Sequence, residues 1–154
     1  MTYSPDQCDV SVVLPVYNEK GHLRAEIDRV RAALTASRFS FEIIVVDDGS
    51  SDGSEKELPT IPDITLIRHR QNQGSGSARR TGTTAARGRI VVWTDVDMTY
   101  PNDLIPELVE AMDGYDHIVG WRQSEEGTMK FLRTPAKWII RKLASYLSET
   151  DIKD

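Results

Sequence analysis

The strongest constraint on this chain is a set of short, β-branched apolar runs separated by amphipathic stretches. Val10-Ser11-Val12-Val13-Leu14, Phe41-Glu42-Ile43-Ile44-Val45-Val46, Ile64-Thr65-Leu66-Ile67, Ile90-Val91-Val92-Trp93 and His117-Ile118-Val119-Gly120 are the strand candidates. No uninterrupted apolar run exceeds four residues. That is too short to cross a bilayer and is the length expected of strands buried on both faces of a parallel sheet. Between the first two runs, Leu23, Ile27, Val30 and Leu34 form an i, i+4, i+7, i+11 stripe on an otherwise charged segment, which predicts a helix. Residues 75–87 predict another, with serines near its start and Gly88 just past its end. Residues 102–112 predict a short turn and then a helix entered through Pro106. Strand and helix alternating in this way imply an α/β layered domain with right-handed crossovers, read as one domain over residues 1–154.

Unusual polar groups follow the runs directly. The first run leads into Pro15-Val16-Tyr17-Asn18-Glu19 and the second into Asp47-Asp48-Gly49-Ser50-Ser51-Asp52-Gly53. The fourth leads into Asp95-Val96-Asp97 and the fifth into Trp121-Arg122. Ligands of open α/β sheets bind outside the carboxyl ends of the strands, so these clusters define one expected site. In an extended segment residues i and i+2 point the same way, so Asp95 and Asp97 can face one ligand. Hard carboxylate oxygens suit Mg²⁺ or Mn²⁺, completed by phosphate oxygens from a substrate. The alternative for Asp95-Val96-Asp97 is a solvated turn, and Asp47-Asp48-Gly49-Ser50 also reads as a turn. Gly74-Ser75-Gly76-Ser77-Ala78-Arg79 fails as a dinucleotide fingerprint, because it follows the third run and has Arg79 in place of the last glycine. It fits close backbone packing at a helix start.

Composition narrows the function classes. Nineteen Lys+Arg against 24 Asp+Glu give a net charge of −5, which argues against a nucleic-acid binder. A lone Cys8 excludes an internal disulfide and a Cys-rich zinc site. The first residues are polar and lack the apolar core of a signal peptide, so the expectation is a soluble protein of a reducing compartment.

Taken together, these segments resemble glycosyltransferase family 2. Val13-Leu14-Pro15-Val16-Tyr17-Asn18-Glu19 is similar to the family's opening motif, and residues 42–53 are similar to its second block. Asn72-Gln73-Gly74-Ser75-Gly76-Ser77-Ala78, Trp93-Thr94-Asp95-Val96-Asp97-Met98-Thr99-Tyr100-Pro101 and Ile118-Val119-Gly120-Trp121-Arg122 resemble the blocks that follow. Five motifs in order are a specific signal where any one is weak. Order and spacing resemble dolichyl-phosphate mannose synthases and related polyprenyl-phosphate glycosyltransferases. Two positions depart from the pattern: Val96 stands for an alanine, and Trp121 for a small polar residue. The sequence stops at Asp151-Ile152-Lys153-Asp154, where the family pattern continues, so the resemblance implies a C-terminally truncated domain.

The resemblance implies a three-layer GT-A fold, the Rossmann-like arrangement of nucleotide-diphospho-sugar transferases, with a mostly parallel sheet. It assigns Pro15, Tyr17, Glu19, Val46 and Asp48 to the nucleoside, with Asp48 accepting from a base N–H. Asp95, Val96 and Asp97 go to the ribose–diphosphate region and the metal, Mg²⁺ or Mn²⁺, with Asp97 the more direct ligand. Arg122 would meet the donor diphosphate or sugar. Tyr17 as a surface aromatic and Arg122 as a solvated charge are the plainer alternatives.

The implied reaction is metal-dependent, inverting transfer of a hexose, mannose or glucose, from a GDP- or UDP-sugar to a polyprenyl or dolichyl phosphate. An anionic acceptor needs no general base, and His22, His69 and His117 lie outside the donor motifs; His69 reads as structural or solvated. Within residues 130–148, Lys130, Arg133, Lys137 and Arg141 run beside an apolar arc of Ala136, Ile139, Ile140, Leu143 and Leu147. That pattern suits either a core-packed helix or one lying in a membrane interface. The expected setting is cytoplasmic, with peripheral contact to the cytoplasmic face of a membrane. Two other readings stay open: a family 2 transferase acting on a sugar hydroxyl, and a non-catalytic nucleotide-sugar-binding module.

Overall fold

The computed structural model describes residues 7–120. The chain divides into two compact units, residues 1–118 and 119–154, and every described element belongs to the first. In order these are β1 (Val10–Val16), α1 (Leu23–Thr35), β2 (Phe41–Asp47), α2 (Ser54–Glu57), β3 (Thr65–Arg68), α3 (Ser75–Ala85), β4 (Ile90–Trp93) and α4 (Ile105–Ala111). Single 3₁₀ turns precede β3 and α4, at Leu58–Thr60 and Asn102–Leu104.

All ladders are parallel and the strand order is β3-β2-β1-β4. β1 pairs with β2 along its length but with β4 only over Val10–Val13. Pro15 lies beyond that stretch, so its missing N–H leaves no gap in the β1–β4 ladder. Strand alternation splits the core in two. Val10, Val12, Leu14, Val16, Ile43 and Val45 pack with Leu23, Ile27, Val30 and Leu34 of α1 and with Ile105 and Val109 of α4. Val13, Ile44 and Val46 face Ala78 of α3 on the opposite side. The chain thus advances outward from β1 to β3 with α1 on one face, then returns through α3 on the other to reach β4. Right-handed crossovers require this change of face, and it makes the β1–β4 boundary the topological switch point of the sheet.

α3 sits tightly on β1. A Cβ at Gly82 would lie 2.3 Å from Val13 Cγ1, so only glycine allows this approach. The predicted helix over 75–87 ends at Ala85, because the next backbone groups bond elsewhere. The Arg87 N–H donates to Glu42 Oε1 (2.7 Å) and the Gly88 N–H to Ser11 Oγ (2.8 Å).

One strand expectation is corrected. Residues 117–120 form no strand, and His117 and Val119 are exposed. An apolar run has the capacity for a strand, but a strand exists only where its backbone groups find a paired neighbour. Among the described residues β4 is an edge, with Trp93 54% exposed.

Candidate functional site at the carboxyl ends of β1, β2 and β4

The loops leaving β1 and β2 are interlocked through motif residues. The Asn18 N–H donates to Ser50 Oγ (3.1 Å) and the Ser51 N–H to Asn18 Oδ1 (2.9 Å). The Glu19 N–H donates to Ser54 Oγ (3.1 Å) and the Lys20 N–H to Asp52 Oδ2 (3.0 Å). Asn18 holds a left-handed backbone (φ 57°), a conformation asparagine tolerates better than most residues. Asp47, 2% exposed, accepts from the Ser50 N–H (2.9 Å) and so closes the turn. Gly49 (φ +79°) completes it: a Cβ there would lie 2.8 Å from the Gln71 carbonyl carbon. The polar residues of these two motifs therefore hold the loops together, leaving Tyr17 46% exposed and Glu19 half-buried.

Asp48 is placed differently from a free acceptor. It is 2% exposed, and its carboxylate receives donors from its own chain. His69 Nδ1 lies 2.6 Å from Oδ1, the Gln73 N–H lies 3.0 and 3.1 Å from the two oxygens, and the Gly74 N–H is 2.8 Å from Oδ2. His69 Nε2 is 3.0 Å from Thr81 Oγ1, so Asp48 ties the end of β2 to the loop after β3 and through His69 to α3. His69 is thus structural, as one would expect of a residue outside the donor motifs. Its carboxylate partner gave no sign in the sequence, since the two are 21 positions apart.

Pro15, Val46 and Val96 are buried, Val46 at 0% and Val96 at 1% exposure, so they offer a ligand backbone rather than side chain. Burying Val96 leaves Asp95 and Asp97 on the outer side of the segment after β4. Asp95 accepts from Arg79 Nη2 of α3 (2.9 Å), and Arg79 Nε is a buried N–H without a partner among the described residues. Asp97 is exposed, and its Oδ1 caps a tight turn by accepting the Thr99 N–H (3.0 Å) and hydroxyl (2.7 Å).

The acids at the strand ends sense one another. Burial and the negative charge of Asp97, with smaller effects of Asp95 and Asp52, raise the Glu19 carboxyl above its ordinary value; only His22 opposes them. Among the described residues, the negative charge around Glu19 thus outweighs the positive charge of His22. Among the described residues no group of three or more His, Cys, Asp or Glu side chains forms a complete metal cage. A cation here would draw its remaining oxygens from a ligand, which suits a nucleoside diphosphate. Arg122 and the basic residues Lys130, Arg133, Lys137 and Arg141 lie outside the described residues, as does Trp121.

Comparisons with known proteins bear on the family and the fold. The family model described as Glycosyl transferase family 2 matches residues 11–151. The chain is 38% identical over 136 residues to an undecaprenyl-phosphate 4-deoxy-4-formamido-L-arabinose transferase of Aeromonas hydrophila. It is 39% identical to the transferase of the same description from Yersinia pestis. Each match covers 84% of this chain and 41% of the relative, so the chain spans about two fifths of their length. Among solved structures it resembles glucosyl-3-phosphoglycerate synthase from Mycobacterium tuberculosis in complex with Mn²⁺, UDP and phosphoglyceric acid (TM-score 0.58, 28% identity, 71% of this chain and 40% of that one). It also resembles a mannosyltransferase from Pyrobaculum calidifontis in complex with GDP-Man and Mn²⁺ (TM-score 0.55, 28% identity, 70% and 33%).

Proposed function

Because this chain belongs to glycosyl transferase family 2 and has its GT-A fold, we propose that it forms the donor-binding part of an enzyme that moves a glycosyl unit from a nucleotide sugar to a polyprenyl phosphate. The observation that carries the reading is the placement of Glu19 after β1 and of Asp95 and Asp97 after β4, the two adjacent strands on either side of the switch point. The acceptor class rests on the undecaprenyl-phosphate transferases to which the chain is 38–39% identical. Those relatives carry an L-arabinose derivative, so the hexose expected from the motifs gives way to the broader class of glycosyl donors.

In this reading Tyr17 and Glu19 would border the nucleoside, and Asp97 would hold a divalent ion together with the donor diphosphate. Such an ion supplies neutralisation of the charge that builds on the departing nucleoside diphosphate. Arg79 keeps Asp95 in place and holds a guanidinium beside the same diphosphate. Arg122 would add a planar fork of donors to it. An oxygen of the acceptor phosphate bonds to the anomeric carbon as the bond to the diphosphate breaks, with inversion. That oxygen is already anionic near neutral pH, so no side chain has to remove a proton. A lipid acceptor places the reaction at a membrane surface, with the cytoplasmic face as the proposed side. No described helix is long and apolar enough to cross a membrane.

Calorimetric titration of UDP and GDP with Mn²⁺ or Mg²⁺ tests the donor half. Asp97→Asn keeps the oxygen that Thr99 needs but removes the charge, so metal-dependent affinity should fall at least tenfold with little change in melting temperature. Equal affinity in wild type, variant and EDTA-treated protein would refute the assignment. The transfer half is tested by incubating membranes holding the complete protein with labelled nucleotide sugars, where the expected product is a labelled lipid.

A further inference from the structure

The helix that packs behind the Asp95–Asp97 segment carries a carboxylate inside the core. Glu26 of α1 is 0% exposed, among Leu23, Ile27 and Val30. Its Oε1 accepts from Asn102 Nδ2 at 2.6 Å, and Asn102 is itself 2% exposed. The same amide nitrogen reaches the Asp95 carbonyl oxygen at 3.2 Å, and its Oδ1 accepts from the Thr94 hydroxyl at 2.5 Å. Asn102 thus joins both ends of the excursion that begins at Thr94 and carries Asp95 and Asp97. One turn along α1, Arg29 reinforces the attachment by donating to the Tyr100 carbonyl (3.3 Å) and pairing with Asp103. Its guanidinium lies 3.7 Å from Glu26 Oε1.

A leucine at position 26 would continue the apolar stripe of α1 and avoid the cost of dehydrating a carboxylate. Glu26 Oε2 has no partner among the described residues, so the group is retained there at a disadvantage to stability alone. A buried polar connection of this kind gains definition of geometry in return, because an amide bonded on three sides has one orientation. We infer that Glu26 and Asn102 are positioning residues for the nucleotide site: they form a strut that fixes the turn bearing Asp95 and Asp97 onto α1. The inference rests on the donor-site reading for its functional consequence and on the hydrogen-bond geometry for the strut itself.

The test compares Glu26→Leu, which removes the acceptor, with Glu26→Gln, whose amide oxygen can still accept from Asn102. Asn102 Nδ2 keeps the Asp95 carbonyl in the leucine variant, so that variant should fold and melt within a few degrees of wild type. Hydrogen exchange reads the strut without any ligand. The Thr99, Asn102 and Leu104 amides, bonded to Asp97 Oδ1, Tyr100 O and Pro101 O, should exchange about tenfold faster in Glu26→Leu, while β1 and β2 amides stay unchanged. Glu26→Gln should restore wild-type exchange. Calorimetry with Mn²⁺ and UDP or GDP reads the consequence: about tenfold weaker binding in Glu26→Leu, recovered in Glu26→Gln. Unchanged exchange at those three amides overturns the strut, and unchanged affinity with faster exchange overturns its positioning role. If wild type binds neither nucleotide with Mn²⁺, the donor-site reading falls, and the positioning role with it, while the exchange data still decide the strut.

Discussion

Gly82→Ala asks whether the site depends on how closely α3 lies on the sheet. A Cβ at position 82 would stand 2.3 Å from Val13 Cγ1, 3.2 Å from Cγ2 and 3.3 Å from Cβ. Ordinary carbon contacts lie near 3.5–4.0 Å, so helix or strand must move by more than about 1 Å. Val13 cannot rotate away easily: it is β-branched, fully buried, and packed with Ile44, Val46 and Ala78. Overpacking of a rigid core costs about 1–3 kcal/mol, and alanine's better helix propensity returns about 1 kcal/mol. With the clash falling on a stiff group, the net loss should be about 1–2 kcal/mol, or about 2–8 °C in melting temperature for a chain of this size. Gly76 is the internal control, since it lies in the same helix and a Cβ there meets nothing within 4 Å. Gly76→Ala should therefore stabilise by up to about 0.5–1 kcal/mol. Adding Val13→Ala to Gly82→Ala should relieve the clash and give a coupling of at least about 1 kcal/mol in the double-mutant cycle. Because α3 also carries Arg79 and Thr81, Gly82→Ala should weaken nucleotide binding as well. A Gly82→Ala protein that melts at or above wild type would refute the packing argument.

Glu42 receives the Ser11 hydroxyl (2.6 Å), the Arg87 N–H and the Arg87 guanidinium (2.8 Å); burial pushes its carboxyl up, but these bonds together hold it below its ordinary value. Its contribution should be intact above the usual glutamate range and lost as pH falls below it. Glu42→Gln should then cost about 1.5–3 kcal/mol at neutral pH and flatten the acid limb of the stability profile, which melting curves across pH 3–7 would reveal. Asp48→Asn turns an amide N–H₂ toward donors from His69, Gln73 and Gly74, and should lower stability by about 1.5–3 kcal/mol in the absence of nucleotide. A ligand-free melt equal to wild type would show that those bonds contribute nothing.

Much of the fold was legible because burial leaves a direct trace in residue type. β4 was read to the residue, and the stripe Leu23, Ile27, Val30, Leu34 marked the buried face of α1 correctly. Pro106 correctly signalled a turn before α4. The fifth run failed because periodicity describes one segment, whereas a strand is a property of two. Glu26 escaped notice for a different reason. A charged residue on an amphipathic helix is read as outward, although position 26 lies three residues from Leu23 and four from Val30, squarely on the apolar stripe. The spacing held the signal, and the residue type concealed it.

At the site, the motifs marked which loops to compare but not which residues hold them together. Asp47 and Asp48 read equally well as a turn or as ligand groups, and the choice depends on which donors surround them in space. Asp47 closes its own turn, Asp48 gathers the loop after β3, and Asn18, Ser50, Ser51 and Asp52 fasten one loop to the next. Each of these residues already takes part in a hydrogen bond donated by a backbone N–H of the chain, so each has a part in holding the loops. Glu19 and Asp97 differ: Asp97 is exposed and Glu19 half-buried beside the switch point, and burial and Asp97 raise the Glu19 carboxyl more than His22 lowers it. Those carboxylates are what an incoming divalent ion would neutralise. One motif can thus divide into residues that hold the loops and residues left to meet a ligand, and only the second group should respond to metal.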